Sequence, residues 1–269
     1  MKKVLAIILV IAVCAVFVTS LAACNDKSDW EKIQESGELV IGITYFKPMN
    51  YYEGETLVGF ETEFATAVCN KLGLTPKFQE INWNNKIVEL QSGNIDVIWN
   101  GMTINQEYYE NMEISNAYMT NRQVAIIKKS NASLYTDIAS MSDAKLGAEQ
   151  QSAGEKAIRA NGTLADNEII TLTAQTDVLN ELKAGTIDVG FIDIVMATAS
   201  VGEGTDYADL MIVENAMIGD DELYGIGMRK GSTELLEKIN AAIKELYDDN
   251  TLTTIAAKYG LSSALVAQK

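Results

Sequence analysis

The spacing of apolar residues along the chain predicts an alternation of strands and helices. Leu39, Ile41 and Ile43 occupy every second position, which is the period of a strand with one buried face. Residues 60–72 repeat apolar side chains at steps of four and stop before Gly73, as an amphipathic helix with a glycine cap does. The alternation continues with a strand, a helix and a strand within residues 75–83, 84–93 and 95–101. We therefore expect a parallel sheet with helices on its faces.

A repeat within the chain predicts that this unit occurs twice. Residues 89–101, ELQSGNIDVIWNG, match residues 181–193, ELKAGTIDVGFID, at a constant offset of 92. Both copies join a helix to a strand through a glycine. The second copy is preceded by a predicted strand, helix and strand at residues 143–150, 152–162 and 167–173. We therefore expect two similar α/β lobes.

The order of these elements predicts that the second lobe is inserted within the first. The chain would then pass between the lobes twice, on crossover strands near residues 119–124 and 221–226. The predicted division of the chain is a signal at 1–23, a tether at 24–36, the first lobe at 37–121 and 224–269, and the second lobe at 122–223.

The N-terminus has the pattern of a bacterial export signal with an acylation site. A basic start precedes an apolar run from Val4 to Val18, which is too short for a comfortable membrane span. The signal ends in LAAC, which fits a lipoprotein box in which Cys24 is acylated and becomes the first residue. The polar stretch after Cys24 suits a tether. We therefore predict a protein that lipid chains hold at the outer face of the cytoplasmic membrane.

The composition excludes several classes of function. The formal net charge is −16, and near −18 once Lys2 and Lys3 leave with the signal, so we expect no binding to nucleic-acid phosphates. The chain has no histidine, which excludes Ser-His-Asp and Cys-His catalysis and removes the commonest zinc ligand. Cys69 is the one thiol beyond the signal and Cys24, so we expect core packing and no disulfide within the chain. No metal or cofactor is predicted.

Three features carry the chemistry of a small-molecule site. Asp193 ends the apolar strand VGFID, where a partly desolvated carboxylate needs a cation. The segment QSAGE at residues 151–155 opens a helix whose free N–H groups suit an anion. Trp83 lies among asparagines, which favours the edge of a cleft. Other roles stay open: Asp193 and Ser152 could serve simply as helix caps, and Trp83 could belong to the core.

The order of the motifs carries a resemblance to a known family. The chain resembles the extracellular solute-binding proteins of polar amino-acid ABC importers in LVIGITYFKPM, LVGFETEFATAVCNKLG, LQSGNIDVIWNGMTI, AGTIDVGFID and YGIGMRKGSTELLEKINAAIKEL. These segments span essentially the whole mature chain. The resemblance implies a type II periplasmic-binding-protein fold and a monomer that closes on an amino acid or related amine. It also implies delivery to an ABC permease and its ATPase with no catalytic step, so we do not expect an enzyme.

The resemblance further implies a ligand site in the cleft between the lobes. Asp193 matches the acid that takes the α-ammonium of the ligand, and the helix start at Ser152 and Ala153 matches the N–H groups that take its carboxylate. Two aromatic walls and a loop that offers a carbonyl and a hydroxyl complete the match, at Phe46, Trp83, Gly101 and Thr103. For Phe46, a place in the core remains an equal alternative.

Two positions depart from the family. Where relatives carry an arginine that grips the α-carboxylate with two hydrogen bonds, this chain has Tyr108, a neutral donor. Three explanations stay open: a cationic ligand without a carboxylate, a replacement cation such as Lys47 or Arg122, or an amino acid held more weakly by the helix start. Glu149 is the second departure, and it either faces a basic ligand side chain or lies at a solvated edge.

Two other classes of protein use related folds. A few relatives are dehydratases, for which Glu155 and Asp193 would be the paired carboxylates. However, an acid in the first turn of a helix stabilises that helix without any catalytic role. A sensory receptor domain would normally be joined to a membrane helix and signalling segments. We therefore predict a solute-binding lipoprotein of an importer.

Overall fold

The computed structural model describes residues 27–268. The predicted signal, the acylation site Cys24 and the first residues of the predicted tether lie outside this range. Within the described range, no helix combines the length and the apolar character that crossing a membrane requires.

The first sheet is built mainly from the earlier part of the chain. Its strands are β1 Glu38–Ile43, β4 Thr75–Glu80, β5 Val97–Ile98, β6 Met112–Ile114 and β12 Gly227–Arg229. They lie in the order β4-β1-β5-β12-β6, with β1 parallel to both neighbours and β12 antiparallel to both of its own. A separate hairpin consists of β2 Tyr51–Glu53 and β3 Thr56–Val58. The alternation predicted for β1 is confirmed, because Leu39, Ile41 and Ile43 are all buried.

The second sheet has the same size and a similar plan. Its strands are β7 Met119–Lys128, β8 Leu146–Glu149, β9 Ile169–Leu172, β10 Val189–Asp193 and β11 Leu210–Tyr224. They lie in the order β11-β7-β10-β8-β9, with β10, β8 and β9 parallel and β7 antiparallel to β10 and β11. The predicted fold class, two α/β units with mostly parallel sheets, is confirmed.

Helices connect the strands of both sheets. They are α1 Asp29–Ser36, α2 Phe60–Leu72, α3 Lys86–Gln91, α4 Gln106–Asn111, α5 Ala153–Ala160, α6 Gln175–Ala184, α7 Ile194–Ser200, α8 Thr233–Asp248 and α9 Thr251–Lys258. A turn of 3₁₀ helix at Trp83–Asn85 leads into α3. Helix α2 ends at Gly73, whose φ of 70° is left-handed, as the glycine predicts.

Two long strands connect the two sheets. The chain leaves the first sheet after β6 and enters the second on β7, and it returns from β11 to β12. β7 and β11 are paired, with Met119 opposite Tyr224 and Leu210 opposite Lys128. The two passages therefore lie side by side, as a pair of crossover strands would. The lobe boundaries at 37–121, 122–223 and 224–269 stay a proposal.

The end of the predicted tether is instead a helix packed on the fold. Residues 29–36 form α1, capped by Ser28, whose side chain accepts a hydrogen bond from the Glu31 N–H. Trp30 and Ile33 are buried, and the Lys238 ammonium lies 5.8 Å from the centre of the Trp30 ring. The predicted tether is therefore wrong for residues 29–36, where a capping box and two apolar side chains on one face specify an amphipathic helix.

The internal repeat has a structural cause. In each copy a left-handed glycine ends the helix, with φ of 78° at Gly93 and 83° at Gly185. The aspartate three residues later accepts a hydrogen bond from a backbone N–H of a neighbouring segment. That N–H lies within β1 in the first copy and directly before β8 in the second. Asp96 Oδ2 lies 2.9 Å from the Val40 nitrogen, and Asp188 Oδ2 lies 2.9 Å from the Lys145 nitrogen. The repeated sequence therefore encodes one helix-to-strand connection used twice.

An aromatic cluster packs between α2 and the end of β5. The Phe64 ring meets the Trp99 ring edge to face at 4.9 Å between centroids, and it meets the Tyr118 ring at 5.5 Å. Cys69 is buried nearby on α2, as predicted. This cluster fixes the loop that follows β5, and that loop forms one wall of the cleft.

Candidate functional site

A cleft lies between the two sheets, where β5, β8 and β10 end. Its empty space is about 400 Å³, part of which is open to solvent. The residues that line it come from both sheets and their loops: Trp83, Asn100, Gly101, Thr103, Asn105, Tyr108, Glu149, Ser152, Ala153, Lys156, Gln175 and Asp193. Eight of the nine predicted ligand residues are in this set, and the structure therefore brings them together.

Phe46 is the ninth predicted residue, and it lies behind the cleft wall. Its side chain is buried, and its ring tip sits against Gly101. Gly101 has a φ of 55°, and a Cβ there would lie 2.9 Å from Phe46 Cζ. Glycine is therefore required at this point by both the backbone conformation and the contact with Phe46.

Asp193 is a buried carboxylate held by amide groups. Asn121 Nδ2 and Gln123 Nε2 each donate to its Oδ1 at 2.5 Å, and Gln175 Nε2 donates to Oδ2. Burial raises the pKa of Asp193 even though these hydrogen bonds act to lower it. No lysine or arginine of the described chain forms an ion pair with it. A cationic group in the cleft would meet an oriented, uncompensated acid.

Glu149 ends β8 and is also buried. Its Oε1 has no hydrogen-bond partner among the described residues. Burial raises the pKa of its carboxyl to about 8, and the nearby Asp193 acts in the same direction while Lys86 opposes it. The alternative of a solvated edge is therefore wrong, because only 4 % of the residue is exposed.

Two further acids stand at the back of the cleft. Glu222, on β11, accepts hydrogen bonds from Thr103 Oγ1 at 3.0 Å, from Asn121 and from Gln123. Burial raises the pKa of Glu222. Glu61, at the start of α2, accepts from the Gly101 N–H at 2.7 Å and from Tyr118, and burial raises its pKa to about 7. The cleft is therefore rich in buried carboxyl groups.

The start of α5 lies on the same side of the cleft as Glu149 and Asp193, next to the end of β10. Ser152 is its N-cap, and its Oγ accepts from the Glu155 N–H at 3.1 Å. This is the capping role left open for the serine. The first-turn N–H groups of Ala153 and Gly154 have no acceptor within the helix. They suit an anion at the helix start.

Glu155 does not line the cleft. Its carboxylate accepts from the Gln151 N–H at 2.7 Å and pairs with Arg159 at 2.7 Å. These contacts satisfy it as a helix-stabilising acid. The geometry gives no support to Glu155 as one of a pair of catalytic carboxylates.

Tyr108 lies between two lysines. Its ring is buried on α4, with the Lys86 ammonium 5.6 Å from the ring centre and the Lys156 ammonium 5.2 Å from it. Lys86 lies at 4.5 Å over the Trp83 ring and donates to the Trp83 carbonyl at 3.1 Å and the Gln151 carbonyl at 3.4 Å. Burial lowers the pKa of Lys86 to about 8.

The two cations considered from the sequence lie elsewhere. Lys47 is half exposed and reaches Asp206 at 3.3 Å, and Arg122 is half exposed and pairs with Asp221 at 2.5 Å. Neither lines the cleft. Lys86 was missed, although its position gives a signal. It stands four residues before buried Leu90, on the inward face of α3, where an apolar side chain would be expected.

A wider depression beside β7 and β11 is a weaker candidate. It is lined partly by apolar side chains such as Ile194, Leu223 and Leu261. Of its charged residues, Arg122 is half exposed and pairs with the exposed Asp221, and Glu222 is held by Thr103, Asn121 and Gln123. The cleft between the sheets is preferred because several buried polar groups converge there.

The fold and the cleft define a class of protein, the two-lobed α/β binding proteins that hold a small molecule between their lobes. Comparison with known sequences is consistent with this class. The chain belongs to the bacterial extracellular solute-binding proteins, family 3, whose pattern matches residues 39–262.

Named relatives and solved structures match over nearly the whole chain. The L-cystine-binding protein TcyJ of Escherichia coli is 27 % identical over 252 residues, which cover 93 % of this chain and 92 % of that protein. The arginine-binding extracellular protein ArtP of Bacillus subtilis is 28 % identical and covers 96 % and 98 %. A Streptococcus pneumoniae ABC-transporter substrate-binding protein with bound histidine is 33 % identical with a TM-score of 0.81, covering 89 % and 99 %.

One structurally similar protein is described as the precursor of an enzyme. It is an ancestral amino-acid-binding protein described as a precursor of cyclohexadienyl dehydratase, 26 % identical with a TM-score of 0.78. It covers 86 % of this chain and 99 % of its own. The relatives named above are binding proteins.

Proposed function

We propose that this protein is the substrate-binding component of an ABC importer and captures an amino acid in the cleft between its sheets. The observation that supports this most is Asp193. It is a buried carboxylate, oriented by three amides, and it lines the same cleft as the start of α5. An α-ammonium and an α-carboxylate would find complementary groups there. The relatives named for cystine, arginine and histidine favour the same class of ligand.

The alternative ligand, a cation without a carboxylate, is not favoured by these relatives. Each is named for an amino acid, and every amino acid carries a carboxylate. The start of α5 and Lys156 both line the cleft and supply positive potential to such a group. An amino acid therefore remains compatible with the loss of the family arginine at Tyr108.

The mechanism we propose is closure of two lobes on the ligand. Lys156 meets Glu107 at 2.6 Å, and Thr176 donates to the Tyr45 carbonyl at 3.3 Å, so each contact joins the two sides of the cleft. A ligand that touches both sides binds the closed form more tightly and shifts the equilibrium toward it. The closed monomer then docks on the permease, which works together with its ATPase. No chemical step is needed.

We further propose that the protein is lipid-anchored through Cys24 outside the cytoplasmic membrane. The LAAC motif and the polar residues after it support this proposal. The family consists of extracellular solute-binding proteins, which agrees with an exported chain.

Isothermal titration of the purified protein with L-amino acids and L-cystine tests the function. We expect at least one to bind, and we expect Asp193→Asn to weaken binding by about one to two decades, because a hydrogen bond to a charged group contributes about 1.5–3 kcal/mol. Asp143→Asn is the matched control, since Asp143 is exposed and distant from the cleft lining. Binding that is unchanged in Asp193→Asn, or absent for every amino acid, would refute the proposal.

A further inference from the structure

Glu149 has hydrogen-bonding capacity that the protein itself does not use. It lines the cleft, it is buried, and its Oε1 has no partner among the described residues. An unsatisfied buried carboxyl oxygen is costly, so it is expected to have a function. The groups that hold Asp193 do not reach it, since Asn121, Gln123 and Gln175 all donate to Asp193.

The charged side chains that act on Glu149 come from three elements. Asp193 and Asp177 act on it as like charges from β10 and α6, and Lys86 acts as an opposite charge from α3. The pKa of the neutral Tyr108 phenol on α4 is raised by burial and, to a smaller extent, by the Glu149 charge. Lys86 forms no ion pair with Glu149 within 4 Å in the described chain, and two of its three N–H groups are directed at backbone carbonyls. The net charge of this group of side chains is therefore negative once Glu149 ionises.

We propose that Glu149 is the residue that receives a cationic side chain of the ligand, so that the cleft selects amino acids such as arginine or lysine over neutral ones of the same shape. This inference rests on the proposed function and names the substrate class of the same cleft. Lys86 is the cation whose charge acts on Glu149, and a bound guanidinium or ammonium would supply a second one.

Binding of a cationic ligand at Glu149 is linked to the loss of a proton from its carboxyl group. Burial raises the pKa of Glu149 to about 8, so the carboxyl is mostly protonated at pH 7. A cationic ligand group binds the ionised form, and the proton leaves Glu149 for solvent as the ligand enters. The preference for a cation therefore increases as the pH rises from 7 to 9, by about tenfold for a pKa near 8. Lys86 loses its proton over the same range and acts in the same direction, because its pKa is lowered to about 8.

The pair L-arginine and L-citrulline isolates this effect, since the two differ in side-chain charge and little in shape. Titration calorimetry gives the ratio of their affinities. Any effect on lobe closure or on α-ammonium binding is common to both ligands and therefore cancels in that ratio. We expect arginine to bind at least about tenfold more tightly than citrulline at pH 8. We expect Glu149→Gln to remove most of that preference and its pH dependence.

Two further variants sharpen the test. Lys86→Met removes a charge that lowers the pKa of Glu149, so the rise of the arginine-to-citrulline ratio should move to higher pH, even if the loss of its bond to the Gln151 carbonyl weakens both ligands. Glu168→Gln is the control, because Glu168 is an exposed acid of the same sheet region that pairs with Lys145 at 3.3 Å. It should leave the ratio unchanged.

The outcomes separate this inference from the proposed function. If amino acids bind but arginine binds no more tightly than citrulline, or Glu149→Gln keeps the full preference, the role of Glu149 is refuted and the solute-binding function stands. If no amino acid binds at all, both proposals fail.

Discussion

Raising the pH from 5 to 7.5 should destabilise the ligand-free protein. The cause is the set of buried carboxyls around the cleft, of which Glu61 has a pKa raised from 4.5 to about 7 and Glu149 a pKa raised from 4.5 to about 8. A carboxyl with a higher pKa in the folded state binds its proton more tightly when folded. Its contribution to the stability of the fold is therefore greatest at a pH below its pKa in the unfolded state. That contribution is lost as the pH rises through its pKa in the folded state.

The magnitude follows from the two shifts. Between pH 5 and 7.5, Glu61 accounts for a loss of about 2 kcal/mol in the free energy of unfolding and Glu149 for about 3 kcal/mol. Asp193 and Glu222 have pKa values raised by burial and act in the same direction. Lys86, with a pKa lowered to about 8, changes the stability by only a few tenths of a kcal/mol in this window.

Urea unfolding at pH 5, 6, 7 and 7.5 measures the effect. We expect the midpoint to fall steadily with pH at an unchanged m-value, and we expect Glu61→Gln and Glu149→Gln each to flatten the profile. The exposed-site variant Glu168→Gln should keep the full slope. A midpoint that is constant or rises with pH, or a slope that neither cleft variant alters, would show that these carboxyls are not desolvated as described.

Three other changes have expected outcomes. Gly101→Ala should cost about 1–3 kcal/mol in urea unfolding and weaken ligand binding, because the left-handed φ and the Phe46 ring leave no room for a Cβ; normal affinity would contradict this. Trp30→Ala should cost about 3–5 kcal/mol in the same assay, whereas a tether residue would cost nothing. Cys24→Ser should abolish fatty-acid labelling and release the protein from the membrane fraction, and continued retention would argue against the anchor.

The family resemblance implied the cleft, and the positions of two of its groups at the ends of strands agree with it. Glu149 and Asp193 end β8 and β10, which are neighbouring parallel strands, so both carboxyls must emerge at one edge of the sheet. Periodicity located those strands, and the repeat located the turn before one of them. Short-range patterns are sufficient for such positions.

Other parts of the site depend on contacts that no local pattern contains. Glu61 is an acid in the first turn of α2, an ordinary surface position in sequence terms. It becomes a buried acceptor because α2 points at the Gly101 loop, forty residues later in the chain. Glu222 is likewise partly buried because β11 crosses behind Thr103. The pairing of distant segments decides their burial, and spacing within one segment cannot reveal it.

The charges of the cleft explain how a ligand can drive closure. In the mechanism proposed above, closure buries Glu149 and Asp193, with Lys86 as a buried cation close by, and burial raises the pKa of both acids and so disfavours their ionised forms. In an open form, water would reach the same carboxyls and relieve the cost. If an amino acid binds Asp193 and the start of α5, Trp83 and Thr103 from the other side of the cleft would complete its contacts only on closure, so its affinity for the closed form would exceed that for the open one. A bound ligand should therefore also flatten the pH profile of stability, because it neutralises the carboxyls that create the slope.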